Sequence, residues 1–77
     1  MLILYGTEGC HLCHDAQEVL KRAGLSWQDV DIVDHDDLLS RYETRIPVLS
    51  QAGRELDWPF QPDDVQQWLA TLANGSR

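Results

Sequence analysis

Cys10 and Cys13 stand where two different patterns meet, and no other feature of the chain restricts its fold as much. Before them, Leu2-Ile3-Leu4-Tyr5 is a short continuous apolar run with a β-branched residue and an aromatic, ended by Gly6, as a buried strand would be. After them, Leu12, Ala16, Val19, Leu20 and Ala23 recur at the spacing of one helix face, with Lys21 and Arg22 in the last turn and Gly24 as the stop signal. A dithiol is thereby set where a strand hands over to the N-terminus of a helix. Unsatisfied backbone N–H groups and the positive end of the dipole favour a thiolate there and lower the thiol pKa. Glu8 and Asp15 oppose that shift, whereas protonated His11 and His14 assist it.

The letters Cys10-His11-Leu12-Cys13-His14 allow three chemistries: a c-type haem attachment site, a metal knuckle and a redox dithiol. Haem attachment needs export and a second axial ligand. Here the apolar run has no basic leader, stops at Gly6, and the one methionine is Met1. A mononuclear zinc site would have to converge from five consecutive residues, and His35 is the one distant candidate ligand. No metal or haem is therefore expected. A structural role is also poor: the Cys10–Cys13 bridge would close a loop of four residues, worth about 2 kcal/mol before strain and less than longer loops yield. In a chain of 77 residues, which buries only about 60 % of its unfolded surface, a staple would be useful, yet this pair is better placed for chemistry.

Residues 1–77 read as one soluble domain of ordinary globular composition, 43 % hydrophobic and 25 % charged. The net charge of −7 argues against nucleic acid or an anionic membrane as partner, because phosphate binding requires clustered Lys or Arg. A cationic or neutral protein surface suits it better. The initial apolar run is too short for a signal peptide core or a membrane span, so the chain reads as cytoplasmic. In that compartment a lone cysteine pair is more often catalytic, redox-sensing or metal-binding than structural.

Further along, Trp27 to Val33 alternates and predicts a half-exposed edge strand. Asp34 is placed to cap a short helix with Asp36 and Asp37 in its first turn and Leu38, Leu39 and Tyr42 facing inward. Ile46 is pushed to extended geometry by Pro47, and Pro47 to Ser50 runs as a strand into the turn Gln51-Ala52-Gly53-Arg54. Glu55 to Trp58 is the expected return strand. The last helix opens at Pro62 with Asp63 and Asp64 in its first turn, Phe60 placed to staple against Val65, and Val65, Trp68, Leu69 and Leu72 as its apolar stripe, closed by Asn74-Gly75.

With "TEGCHLC" at the exit of the first strand and "TRIPVL" opening the third, the chain resembles the thioredoxin superfamily, and specifically a minimal glutaredoxin-like domain. The resemblance spans nearly the whole chain. It implies an α/β fold of order βαβαββα, with a four-stranded mixed sheet in order 2-1-3-4, the first and third helices on one face and the second on the other. It implies a cis bond before Pro47. It also implies a thiol-disulfide oxidoreductase in which Cys10 attacks and Cys13, one turn further in, resolves, with His11, Leu12, Ile46, Pro47 and Trp58 lining the substrate site. Trp58 either lines that groove or covers the start of the last helix. His14 and His35 are expected to be solvated, and Trp27 and Trp68 to pack.

The chain departs from the family pattern where glutathione is held. Thr7 stands in place of the usual Lys or Arg three residues before the first cysteine, Leu12 replaces the tyrosine beside the second, and "LDWPFQPDD" replaces the Gly-Gly pair before the last helix. The expected substrate is a protein disulfide, with weak glutathione use and a thioredoxin reductase or glutathione as electron donor. The expected state is a monomer without cofactor. Two alternatives remain open: an iron-sulfur cluster bridged between two chains by Cys10, and a non-enzymatic binding module that uses the Trp58 and Ile46-Pro47 groove and keeps a vestigial dithiol.

Overall fold

The computed structural model describes residues 1–74. Its elements are β1 (Ile3–Gly6), α1 (His11–Arg22), β2 (Gln28–Asp31), a 3-10 turn (Ile32–Asp34), α2 (Asp36–Tyr42), β3 (Val48–Gln51), β4 (Arg54–Asp57) and α3 (Pro62–Asn74). The sheet order is β2-β1-β3-β4, with β1 parallel to β2 and antiparallel to β3, and β3 antiparallel to β4. This is the expected thioredoxin-like mixed sheet with three helices.

Alternation along β1 and β3 divides the core in two. Leu2, Leu4 and Leu49 meet Ala16 and Leu20 of α1 and Phe60 and Val65 at the start of α3, with Trp27, Trp58 and Trp68 packed around them. On the opposite face Val48 meets Ile32 and Tyr42, with Tyr5, Leu38, Leu39 and Ile46 around them. That second face is the thinner one, because α2 is short. Ile3 and Tyr5 consequently remain half-buried, although the apolar run alone reads as a fully buried strand.

Local signals decide both ends of α1. Gly24, at φ 73°, follows the C-cap Ala23. Its N–H donates to the Lys21 carbonyl at 3.0 Å and the Leu25 N–H to the Leu20 carbonyl at 3.1 Å, which is the paired closure of a Schellman end. The buried face of α1 is Cys13, Ala16 and Leu20. Leu12, expected on it, is 45 % exposed. One residue is about 100° of helix rotation, and that step from Cys13 turns Leu12 to solvent.

Three boundaries differ from expectation, each for a local reason. The Asp31 carboxylate accepts the Val33 N–H at 3.1 Å, so β2 stops at Asp31 and a 3-10 turn begins where continued strand is predicted. Asp34 lies inside that turn; the N-cap of α2 is His35, with no side-chain hydrogen bond. The β3–β4 hairpin pairs Gln51 with Arg54, and both loop residues, Ala52 at φ 54° and Gly53 at φ 76°, are left-handed. That is the two-residue turn whose twist matches the strands. It draws Gln51 and Arg54 into the ladder; at the other end the pairing stops at Val48 opposite Asp57, and Pro47, which has no N–H to donate, lies outside it with Trp58. At α3 the expected signals hold: the Gln61 N–H donates to the Asp64 carboxylate at 2.8 Å, and Phe60 and Val65 are both buried in the core. Gly75, expected to close α3, lies outside the described residues.

Candidate active site

β1 ends at Gly6, and Thr7-Glu8-Gly9 carries the chain to Cys10, with Gly9 in the left-handed region at φ 77°. Cys10 is the N-cap of α1 in extended geometry. Its Sγ accepts a hydrogen bond from the Cys13 N–H at 3.2 Å, and its carbonyl accepts the His14 N–H at 3.3 Å. Cys10 and Cys13 form a disulfide across Cα atoms 5.2 Å apart. Cys10 is half-buried, whereas Cys13 is 4 % exposed. One sulfur of the pair therefore faces outward at the positive end of a helix, and the other lies beneath it. Beside them, His11 is exposed with its Nε2 3.8 Å from the Asp15 carboxylate, and Leu12 presents an apolar side chain to solvent.

The Ile46–Pro47 peptide is cis. β1 and β3 pair Leu4 with Leu49 and Tyr5 with Val48; the next step of that register sets buried Pro47 against Gly6, at the same end of the sheet as the dithiol. The Ile46 N–H donates to the Tyr42 carbonyl at 3.1 Å, so the group this residue offers an incoming backbone is its carbonyl. Trp58 is half-buried, packs on the α1/α3 core and meets Phe60 edge to face, with ring centroids 5.0 Å apart. It thus covers the start of α3. Trp27 is held in packing too, with Nε1 donating to the Asp29 carboxylate at 2.8 Å.

A cavity of about 430 Å³ opens on the Cys13 side of the dithiol, between α1 and β2, with Gly6, Cys13 and His14 meeting Glu8, Asp29 and Asp31. The sequence signal for it was the acidic alternation of β2. What places those carboxylates beside Cys13 is the parallel register, in which Gly6 pairs with Asp31. Among the described residues, no group of three or more His, Cys, Asp or Glu stands where it can hold a metal ion.

Behind the cis peptide, a polar network anchors the end of α2 to β4. The Tyr42 hydroxyl donates to the Glu55 carboxylate, and Arg45 bridges Glu55 at 2.7 Å and Asp57 at 2.8 Å. Tyr5 stacks on Tyr42 with centroids 4.6 Å apart. The Tyr42 hydrogen bond and then Arg45 hold the Glu55 carboxyl below its usual range, while burial and then the Glu55 bond push the Tyr42 phenol up. A lowered carboxyl contributes stability that is present above its unfolded pKa of about 4.3 and is lost as pH falls through the folded value. The melting temperature should accordingly fall on acidification below about pH 5, and less steeply in Glu55→Gln. Thermal melts at stepped pH read the slope; identical acid limbs for the two chains would show that the network does not hold Glu55 ionised.

Residues 1–70 match the family model described as a glutaredoxin-like domain (DUF836). An X-ray structure of the structural-genomics target protein XcR50 from X. campestris is 42 % identical, with a TM-score of 0.86 over 92 % of this chain and 97 % of that one. The thioredoxin-like protein BC3987 is 22 % identical, with a TM-score of 0.64 over 87 % of this chain and 97 % of that one. A buckwheat glutaredoxin solved as a glutathione complex is 16 % identical, with a TM-score of 0.58 over 96 % of this chain and 69 % of that one. The last two likenesses bear on the fold. No curated protein matches the chain.

Proposed function

This chain belongs to the glutaredoxin-like domain family, and from that we propose that it is a thiol-disulfide oxidoreductase working chiefly on protein disulfides. The observation that carries the reading is the Cys13 N–H directed at Cys10 Sγ at 3.2 Å. When the pair is reduced, that donor and the helix dipole favour the Cys10 thiolate over the thiol. The thiolate attacks one sulfur of a substrate disulfide, forms a mixed disulfide and expels the other sulfur as a thiolate that takes up a proton. Cys13 then loses its proton and attacks Cys10 Sγ. This releases the second substrate thiol and leaves the Cys10–Cys13 disulfide for an external thiol donor to reduce.

The remaining residues act by binding. Leu12 and His11 offer an exposed apolar and polar rim beside Cys10, and the Ile46 carbonyl ahead of Pro47 can accept a hydrogen bond from an extended substrate backbone. Trp58 contributes by covering the core below that groove. Among the described residues, no helix is long and apolar enough to cross a membrane. The net charge of −7 favours a neutral or cationic partner.

A binding module with a vestigial dithiol would carry an ordinary cysteine at position 10. Alkylation of the reduced chain by iodoacetamide across pH separates the two. Reaction of Cys10 should reach half its limiting rate well below the pH of about 8.5 at which a free thiol half-ionises. A midpoint at or above that pH would remove the catalytic reading.

A further inference from the structure

Gly6 has no backbone reason to be glycine. Gly9, Gly24 and Gly53 have positive φ and Gly6 does not. A Cβ on those three would meet nothing within 4 Å. A Cβ on Gly6 would lie 2.9 Å from Cys13 Sγ and 3.3 Å from Cys13 Cβ, closer than side-chain atoms pack. The space left by the missing side chain is occupied by the buried sulfur of the dithiol.

We propose that Gly6 is a positioning residue for disulfide closure, setting the balance between the Cys10–Cys13 disulfide and its dithiol; the inference rests on the redox reading above. In the disulfide, Cys13 Sγ is tied to Cys10 and cannot retreat from a methyl group at position 6. In the dithiol that tie is gone, and the Cys13 side chain is free to rotate toward the cavity of about 430 Å³ that it lines. A methyl group at position 6 therefore penalises the oxidised form more than the reduced one. Glycine at this position keeps closure favourable, and so keeps the dithiol a better reductant.

The test is equilibration with dithiothreitol: protein disulfide and reduced dithiothreitol exchange two electrons and two protons to give protein dithiol and cyclic oxidised dithiothreitol. Gly6→Ala should shift the equilibrium constant about tenfold toward the protein dithiol, the low end of what inserting one methyl into a close-packed site costs. That is a rise in potential of about 30 mV. If the wild-type chain shows no reversible dithiol equilibrium, the oxidoreductase reading fails and this inference with it. If the wild type cycles and Gly6→Ala has the same potential, only the inference is overturned. Thermal stability provides a second readout: Gly6→Ala should destabilise the oxidised wild-type background, and most of that loss should disappear in a Cys13→Ala background. An equal loss in both backgrounds, or failure of both variants to fold, would mean that Gly6 serves something other than the sulfur.

Discussion

Cys10→Ser should reduce thiol-disulfide exchange to the uncatalysed level, and Cys13→Ser should trap a stable mixed disulfide with a protein substrate through Cys10. The asymmetry comes from the helix start. Cys10 is half-buried and its Sγ faces the Cys13 N–H at 3.2 Å, so its thiolate is both stabilised and reachable. Cys13 is 4 % exposed and reaches no substrate, but it lies within bonding distance of Cys10. Without Cys13 the first attack proceeds and the second has no attacker, so the adduct accumulates. Non-reducing electrophoresis or intact mass reads it directly. Capture by Cys10→Ser in place of Cys13→Ser would reverse the roles.

Glutathione should reduce the Cys10–Cys13 disulfide roughly ten to a hundred times less efficiently than it reduces that of an ordinary glutaredoxin. Glutathione presents two carboxylates. Where a basic anchor is expected beside the dithiol this chain has half-buried Thr7 and exposed Glu8. At the start of α3, Pro62 lacks an N–H, and the Gln61 N–H is already taken by the Asp64 carboxylate at 2.8 Å. One missing charge-assisted hydrogen bond costs roughly 1.5 to 3 kcal/mol, and each 1.4 kcal/mol is about a factor of ten. Repulsion from Glu8, Asp63 and Asp64 acts in the same direction. A side-by-side reduction assay decides the matter: dithiothreitol or a thioredoxin reductase system should reduce the pair readily while glutathione lags. Turnover with glutathione at the rate of an ordinary glutaredoxin would show that the absent anchors are not needed.

What was legible in the sequence depended on whether the deciding contact was local. The Schellman end at Gly24 and the Phe60/Val65 staple at α3 are written within a few residues, and both appear in the structure. So does the placement of the dithiol at the strand exit. The short-range errors came from competition between neighbours. Asp31 bonds the Val33 N–H and ends β2 early, which leaves Asp34 without the cap role, and one step around α1 moves Leu12 from core to solvent. The Tyr42–Glu55–Arg45 network was out of reach for a different reason: its hydrogen bonds join residues ten or more positions apart in sequence, which meet only because β4 pairs with β3. The same holds for Gly6 and Cys13. A glycine ending a strand reads as punctuation until the fold brings a sulfur against it.

β2 lies at one margin of the sheet and carries Asp29 and Asp31 along its length. An unpaired margin is a template for another strand, and edge-to-edge growth is the common route from a small sheet to an aggregate. A second molecule adding here in antiparallel sense would bring aspartate close to aspartate, and like charges facing one another destabilise a ladder. The carboxylates beside the dithiol thus also work against a fifth strand. Neutralising them should lower how concentrated a solution the protein tolerates.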